Sequence, residues 1–271
     1  MGIFDGIVLV SDMDGTMINK EKKISEKDLR AIEYFKENGG LFTIATGRML
    51  PSANRYAKDL KPSLPIILYN GCKIYDYSTN SMILEYSLEE ERKEVIRKLM
   101  KVKGIGLEVY SEEDIYVFKE CHLTKRFSKL GYNVIHTSEG EIWNKNWTKI
   151  LIVGEGEVLD GFENDFSEYE NKRPLRSAIK YLEIVPNSAS KGQALKKLIK
   201  LKNLEEYKIV AIGDNMNDEA LLEVADYGFA VKNANPRLLE KVNLIAPSNN
   251  ENPIEYVIKW IEKNVVLANV Y

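Results

Sequence analysis

Histidine and cysteine are scarce in this chain, two of each in 271 residues. Chemistry built on histidine clusters has little to draw on, and His122 and His136 read as ordinary surface or core residues. Cys72 and Cys121 lie far apart, in no spacing that a cysteine metal site uses. Two cysteines do not suggest a disulfide framework, so a reducing cytoplasmic setting is expected. No apolar run approaches the roughly 18 residues needed to cross a bilayer. The start, Met1-Gly-Ile-Phe-Asp5, has no basic stretch ahead of an apolar one and does not read as a secretory signal. Gly2 could suggest myristoylation, but Gly6 stands where that motif wants Ser or Thr. Excess charge of one sign is missing too: 38 basic and 41 acidic residues are interspersed, for a net charge of −3. Neither nucleic acid nor membrane is therefore expected as a partner. Internal repeats, low-complexity segments and long linkers are also absent. With 44% apolar residues the chain can build a sizeable core, as one large domain or two smaller ones.

What the chain does have is organised around residues 7 to 16, Ile-Val-Leu-Val-Ser-Asp-Met-Asp-Gly-Thr. An unbroken apolar run of this kind predicts a strand buried on both faces. Gly15 ends it, just after Asp12 and Asp14. Two residues apart on an extended chain, these carboxylates leave the same side. They lie at the C-terminal end of a central strand, where open α/β sheets bind ligands. Such a pair can hold a hard cation such as Mg²⁺. One acid can attack while the other moves a proton. Or both can be structural, as an Asx-turn and a helix cap.

Ser25-Glu-Lys-Asp28 resembles a capping box and opens a helix striped by Ile24, Leu29, Ile32 and Phe35; Asn38-Gly-Gly40 closes it. A second buried strand runs from Leu41 into Thr46-Gly47-Arg48. Pro51 then suits the first turn of a helix. A third strand, from Ile66, ends at Asn70-Gly71. Strand, helix, strand, helix, strand predicts a parallel sheet with right-handed crossovers, a doubly wound, Rossmann-like α/β core. The pattern changes after residue 72, where 73–86 suggest a hairpin. Residues 83–187 then read as an inserted α+β unit. Its expected parts are helices near 88–102, 122–130 and 156–169, strands near 105–110, 115–119 and 149–153, and extended segments over 176–185. Trp143, Trp147, Tyr110 and Tyr116 are read as packing residues of this unit rather than as pocket lining. The first pattern resumes at Ser190-Lys191-Gly192, a helix start. A strand follows from Lys208 into Gly213-Asp214-Asn-Met-Asn217-Asp218. After it come a helix, strands near 227–231 and 243–246, and a last helix from Pro253 to about 264. The expected core is thus 1–82 with 188–271.

Four strand ends now carry polar clusters: Asp12 and Asp14; Thr46 and Arg48; Asn70; and Asp214, Asn217 and Asp218. A parallel sheet brings such ends to one edge, and Lys191 opens a helix whose backbone N–H groups favour anions. Carboxylates alone repel a phosphate, whereas carboxylates with Mg²⁺, a lysine and a hydroxyl can bind one.

The stretches Asp12-Met-Asp-Gly-Thr16, Ala45-Thr-Gly-Arg48, Ser190-Lys-Gly192 and Gly213-Asp-Asn-Met-Asn-Asp218 resemble, in order, the four motifs of the haloacid dehalogenase-like (HAD) phosphatases. More narrowly they resemble the Cof-type branch, in which a large C2-type cap is inserted between the second and third motifs. Asn70-Gly71, Asn233-Ala-Asn-Pro236 and Ala246-Pro-Ser-Asn-Asn250 also resemble that branch. Cys72 and Asn252-Pro253 depart from it, at positions away from the proposed chemistry. The likeness covers the core, about 170 residues; the inserted unit matches only in place and size.

The resemblance implies a Mg²⁺-dependent phosphatase acting on a small phosphomonoester, such as a sugar phosphate, flavin mononucleotide or pyridoxal phosphate. Asp12 would be the nucleophile that becomes an aspartyl phosphate. Asp14 would be general acid and then base, its pKa expected to be raised by neighbouring negative charge. Lys191 would neutralise phosphate charge and hold Asp12. Thr46, Gly47, Arg48, Asn70, Gly71 and Asn217 are candidate phosphate- or substrate-binding residues. The metal would be held by Asp12, the Asp14 carbonyl, Asp214 and, directly or at one remove, Asp218. A monomer or weak homodimer is expected. The alternatives are a phosphomutase or phosphotransferase, a phospho-acceptor signalling domain, or a binding protein that has lost catalysis.

Overall fold

In the computed structural model, described here for residues 2–125, 132–169 and 174–266, strand β1 (Ile7–Ser11) is buried along its whole length. Helix α1 (Glu26–Glu37) starts where Ser25 accepts a hydrogen bond from the Asp28 backbone N–H, and buries Ile32 and Phe35. Strand β2 (Leu41–Ile44) follows, then α2 (Leu50–Leu60), with Pro51 in its first turn and Lys61 left-handed at its end. Strand β3 (Ile66–Leu68) meets the end of β2 through one parallel bridge, Ala45 with Ile67. Its regular pairing is instead antiparallel to β4 (Lys73–Asp76), with β5 (Ser81–Glu85) beside that strand. The third strand thus joins the end of β2 by that one parallel bridge and makes its regular pairing in the hairpin.

The next residues form a second unit, 85–189; residues up to 84 and from 190 onward form the first. The helix expected over 88–102 is two short ones, α3 (Glu90–Lys93) and α4 (Val95–Leu99). Between them the chain tightens to i→i+3 bonds, as from Arg97 N–H to the Glu94 carbonyl (3.1 Å). Strands β6 (Gly106–Ser111) and β7 (Asp114–Lys119) follow. The helix expected over 122–130 falls largely outside the described residues. Strand β8 (Val134–His136) had no clear signal in the sequence. Then come β9 (Trp147–Val153), α5 (Gly156–Asn164) with a separate short turn at Phe166–Glu168, and a hairpin of β10 (Leu175–Ala178) and β11 (Tyr181–Ile184). The sheet order is β10-β11-β9-β6-β7-β8. One face packs Leu107, Val109, Trp147, Ile150 and Ile152 against Ile96, Leu99, Leu159 and Phe166. Trp147, Trp143 and Tyr116 belong to that packing. The alternate positions include a buried ion pair, Lys149 to Glu183 at 2.8 Å. His122 and His136 are exposed, each against a glutamate.

The first unit resumes with α6 (Lys191–Leu201), β12 (Lys208–Gly213), α7 (Glu219–Val224), β13 (Tyr227–Val231), α8 (Pro236–Leu239), β14 (Leu244–Ala246) and α9 (Pro253–Ile261). Its main sheet is parallel, in the order β14-β13-β12-β1-β2. Strand order therefore reverses between β1 and β12, the crevice where such sheets bind ligands. The chain is a mixed α/β protein with a parallel-sheet core.

Candidate active site

Asp12 follows β1 directly. Its N–H donates to the Ile212 carbonyl (2.9 Å), so the pairing with β12 continues one residue past the strand. Its side chain is only 6% exposed. The Lys191 ammonium, fully buried at the first position of α6, donates to Asp12 Oδ1 and to Asp218 Oδ1, both at 2.5 Å. Ser190 caps that helix by accepting from the Gln193 N–H. Gly71 fixes its place from the other side. With φ +98°, a Cβ there would stand 2.1 Å from the Ser190 carbonyl oxygen. Gly71 thus lets two backbone segments touch.

Asp218 spends its second oxygen on the backbone. Oδ2 accepts from the N–H groups of Asp214 (2.9 Å) and Asn215 (3.1 Å), closing a capping box with Asn215. Asp214 Oδ1 accepts from the Thr16 hydroxyl (3.2 Å). Gly15, at φ +82°, makes room for this carboxylate: a Cβ would lie 2.3 Å from Asp214 Oδ2. Carboxylate oxygens of Asp12, Asp214 and Asp218 lie within 4.8 Å of one another.

Asp14 stands apart from that trio. Arg48 grips its carboxylate with two parallel bonds, Nε to Oδ2 (2.6 Å) and Nη2 to Oδ1 (2.7 Å). Thr46 is buried; its hydroxyl accepts from the Arg48 N–H (3.2 Å), and its carbonyl accepts from the Asn70 N–H (3.0 Å). Asn70 is buried in the left-handed region at φ +56° and accepts from the Asn217 amide (3.0 Å). A Cβ on Gly47 would stand 3.0 Å from the Asn70 amide. The Asn217 Oδ1 has no hydrogen-bond partner among the described residues.

Two groups therefore form. Asp12, Lys191, Asp214 and Asp218 make a charged cluster, and Thr46, Gly47, Asn70 and Asn217 make an amide-lined wall. Arg48 joins Asp14, and Gly71 packs against the helix that carries Lys191.

Burial raises the Asp12 carboxyl to about 7, with Asp218 and Asp14 adding to the rise against the pull of Lys191. Asp214 is pushed well up by burial and by the charges of Asp12 and Asp218. The Lys191 ammonium overcomes its own burial through its two aspartates and is held up. Asp14 corrects the expectation of a raised carboxyl. Partial desolvation acts upward on it, although its side chain is nearly half exposed, and the bonds and charge of Arg48 outweigh that and lower it.

Several residues that hold the site together carry no site role that their sequence pattern alone reveals. Thr16 binds Asp214. The Asn233 amide donates to the Gly15 carbonyl (2.8 Å), and the Asn235 N–H donates to the Asp214 carbonyl (2.8 Å). The Asn249 amide donates to the Ile18 carbonyl, and its N–H to Asn233 Oδ1. The signal was present in Asn233-Ala-Asn-Pro236 and in Asn249. Both follow strand ends and buttress the loop after β1.

Acids, a buried lysine and amides gathered at the switch point of a parallel sheet are groups of the kind that phosphoryl-transfer sites use. The comparisons narrow the class. Residues 9–258 match the family described as haloacid dehalogenase-like hydrolase, and the chain belongs to that family, in its branch of phosphatases. It is 29% identical to the Bacillus subtilis 5-amino-6-(5-phospho-D-ribitylamino)uracil phosphatase YwtE, over 91% of this chain and 95% of that protein. It is 27% identical to YxeH of the same organism, named a putative phosphatase, over 93% and 96%. The solved structure of TM0651 from Thermotoga maritima superposes with a TM-score of 0.75 at 31% identity, covering 94% of this chain and 97% of that one.

Proposed function

We propose that the protein is a Mg²⁺-dependent phosphatase of small phosphomonoesters that works through a phosphorylated Asp12. The observation that carries this reading is the buried Lys191 ammonium bonded to both Asp12 and Asp218. It fixes one carboxylate oxygen of Asp12 and leaves the other for attack on phosphorus. The same ammonium offsets the negative charge of an arriving phosphoryl group.

The donor set fits Mg²⁺. Three clustered carboxylates offer only hard oxygen ligands, and the carboxyls of Asp12 and Asp214 are raised by burial and then by neighbouring aspartates, a cost that a cation would relieve. Asp12, Asp214 and the Asp14 carbonyl would hold it. Asp218, already accepting three hydrogen bonds, would orient Lys191 and the 214–215 backbone instead. When bound, the metal offsets charge between the attacking carboxylate and the phosphoryl group.

Thr46 and Asn217 face the phosphoryl oxygens in this reading, with Asn70 holding the Asn217 amide in place. Asp14, kept ionised by Arg48, is ready to act as the base that activates water. A substrate dianion nearby pushes its carboxyl upward, toward the protonated form that the leaving alcohol needs. Residues 83–187 are assigned as an inserted cap that sets specificity. Sugar phosphates and phosphorylated cofactors are the substrate class; the ribitylaminouracil phosphate named for YwtE belongs on the same panel.

The test is orthophosphate release from a panel of metabolite phosphates, with Mg²⁺ and with EDTA. Metal-dependent turnover supports the reading. Transfer of phosphate only to an added sugar, with no release to water, would make the enzyme a phosphotransferase.

A further inference from the structure

We propose that Ser52 and Tyr56 of α2 are positioning residues, forming a brace with Arg48 that holds the Asp14 carboxylate in line for proton transfer to the leaving group. The proposal rests on the phosphatase reading above and deepens it.

Arg48, Ser52 and Tyr56 are spaced by four, so the chain entering α2 and the first two turns of that helix present them on one side. Arg48 Nη1 donates to the Ser52 hydroxyl at 2.9 Å. The guanidinium carbon lies 4.8 Å from the centre of the Tyr56 ring. With one side-chain bond to Ser52 and its central carbon over an aromatic ring, the guanidinium is held by two groups besides Asp14. Its remaining edge then makes the two bonds to Asp14 at 2.6 and 2.7 Å. A carboxylate held by two parallel bonds keeps the plane of its holder.

Tyr56 also reaches the segment that follows Asp14. Its hydroxyl donates to the Lys22 carbonyl at 3.1 Å. Lys22 has a left-handed backbone, φ +61°, in a turn where Asn19 accepts from the N–H groups of Glu21 and Lys23. At the other end of this segment Asp14 bridges to Ile18. One ring thus supports the arginine that grips Asp14 and pins the loop that carries Asp14. Neither Ser52 nor Tyr56 touches the charged cluster of Asp12, Asp214 and Asp218, so the brace acts through Arg48 and through the loop.

A positioning role leaves a mark that a merely structural one does not. Proton delivery matters for an alkoxide leaving group and little for an activated aryl one. Since kcat/KM reports only steps up to the first irreversible one, comparing it between an alkyl phosphate and p-nitrophenyl phosphate isolates the leaving-group step. For Tyr56→Leu we expect kcat/KM on the alkyl phosphate to fall on the order of tenfold or more, with p-nitrophenyl phosphate falling by less than about threefold. Tyr56→Phe, which keeps the ring and loses the bond to Lys22, is expected to fall between wild type and Tyr56→Leu. Equal losses on both esters, or no loss on either, would overturn the brace while leaving the phosphatase reading intact. A wild type that turns over neither ester, with or without Mg²⁺, would overturn both.

Discussion

Asp12 and Lys191 stand 179 residues apart in the chain and 2.5 Å apart in space. The lysine is wholly buried and has Asp218 as its second anion. Each of the three groups is tolerated inside the protein because the others are there.

Removing the lysine should therefore cost the fold as well as the chemistry. Lys191→Met leaves two carboxylates without their cation, and a loss of about 3–5 kcal/mol is expected in urea unfolding. Adding Asp218→Asn to Lys191→Met should recover part of that loss, because one orphaned charge is gone. Additive losses in the double variant would contradict the coupling.

Asp214 should respond to pH and metal with a definite sign. Its folded carboxyl is raised above the unfolded value by burial and by two neighbouring acids. A raised acid binds its proton more tightly when folded, so it lowers stability as pH climbs above the unfolded value. In EDTA, Asp214→Asn is expected to gain on wild type as pH rises from about 4 towards neutrality. Mg²⁺ should then raise the melting temperature of wild type but not of the variant. Melting curves with and without Mg²⁺ check both statements.

Asp76 supplies the opposite sign. Lys202 donates to it at 2.7 Å, tying the β4 hairpin to α6. Bonds from Lys202 and Ser78 lower its carboxyl to about 2. That contribution is fully present above the unfolded value and is lost as pH falls through about 2. Asp76→Asn should cost about 2 kcal/mol near neutrality and converge with wild type in strong acid, read from denaturant titrations at several pH values.

Gly71→Ala tests whether the Lys191 helix is seated by backbone contact. The new methyl would meet the Ser190 carbonyl at 2.1 Å in a left-handed backbone. A loss of about 2–3 kcal/mol is expected, with kcat falling through displacement of Lys191. Stability within ~0.5 kcal/mol of wild type would mean that α6 is positioned by something else.

The parallel core was legible because its signals are local. Ile7 to Ser11 is an unbroken apolar run, and Ser25 and Ser190 cap their helices as a sequence pattern can show. The acids at the ends of β1 and β12 follow from strand placement and strand sense. What lies across the chain was not legible. That Arg48 binds Asp14, and so lowers rather than raises its carboxyl, depends on a loop geometry no spacing encodes. Asp28 gives another instance. On α1 it looks like part of a capping box, yet its Oδ1 accepts from the Glu255 N–H at the start of α9, where Asn252 makes no side-chain cap. The second unit was harder to read, because short helices such as α3 and α4 carry little periodicity. Its buried Lys149–Glu183 pair looks in sequence like two surface charges.

The proposed mechanism requires that Asp12 become covalently phosphorylated. Its most direct test is rapid quench of a turnover mixture containing Mg²⁺, reduction of acyl phosphates with borohydride, and mass spectrometry of the peptide that spans β1. The expected result is homoserine at position 12 in wild type and no such product in Asp12→Asn. Steady orthophosphate release with position 12 unmodified, or turnover that survives in Asp12→Asn, would contradict the account.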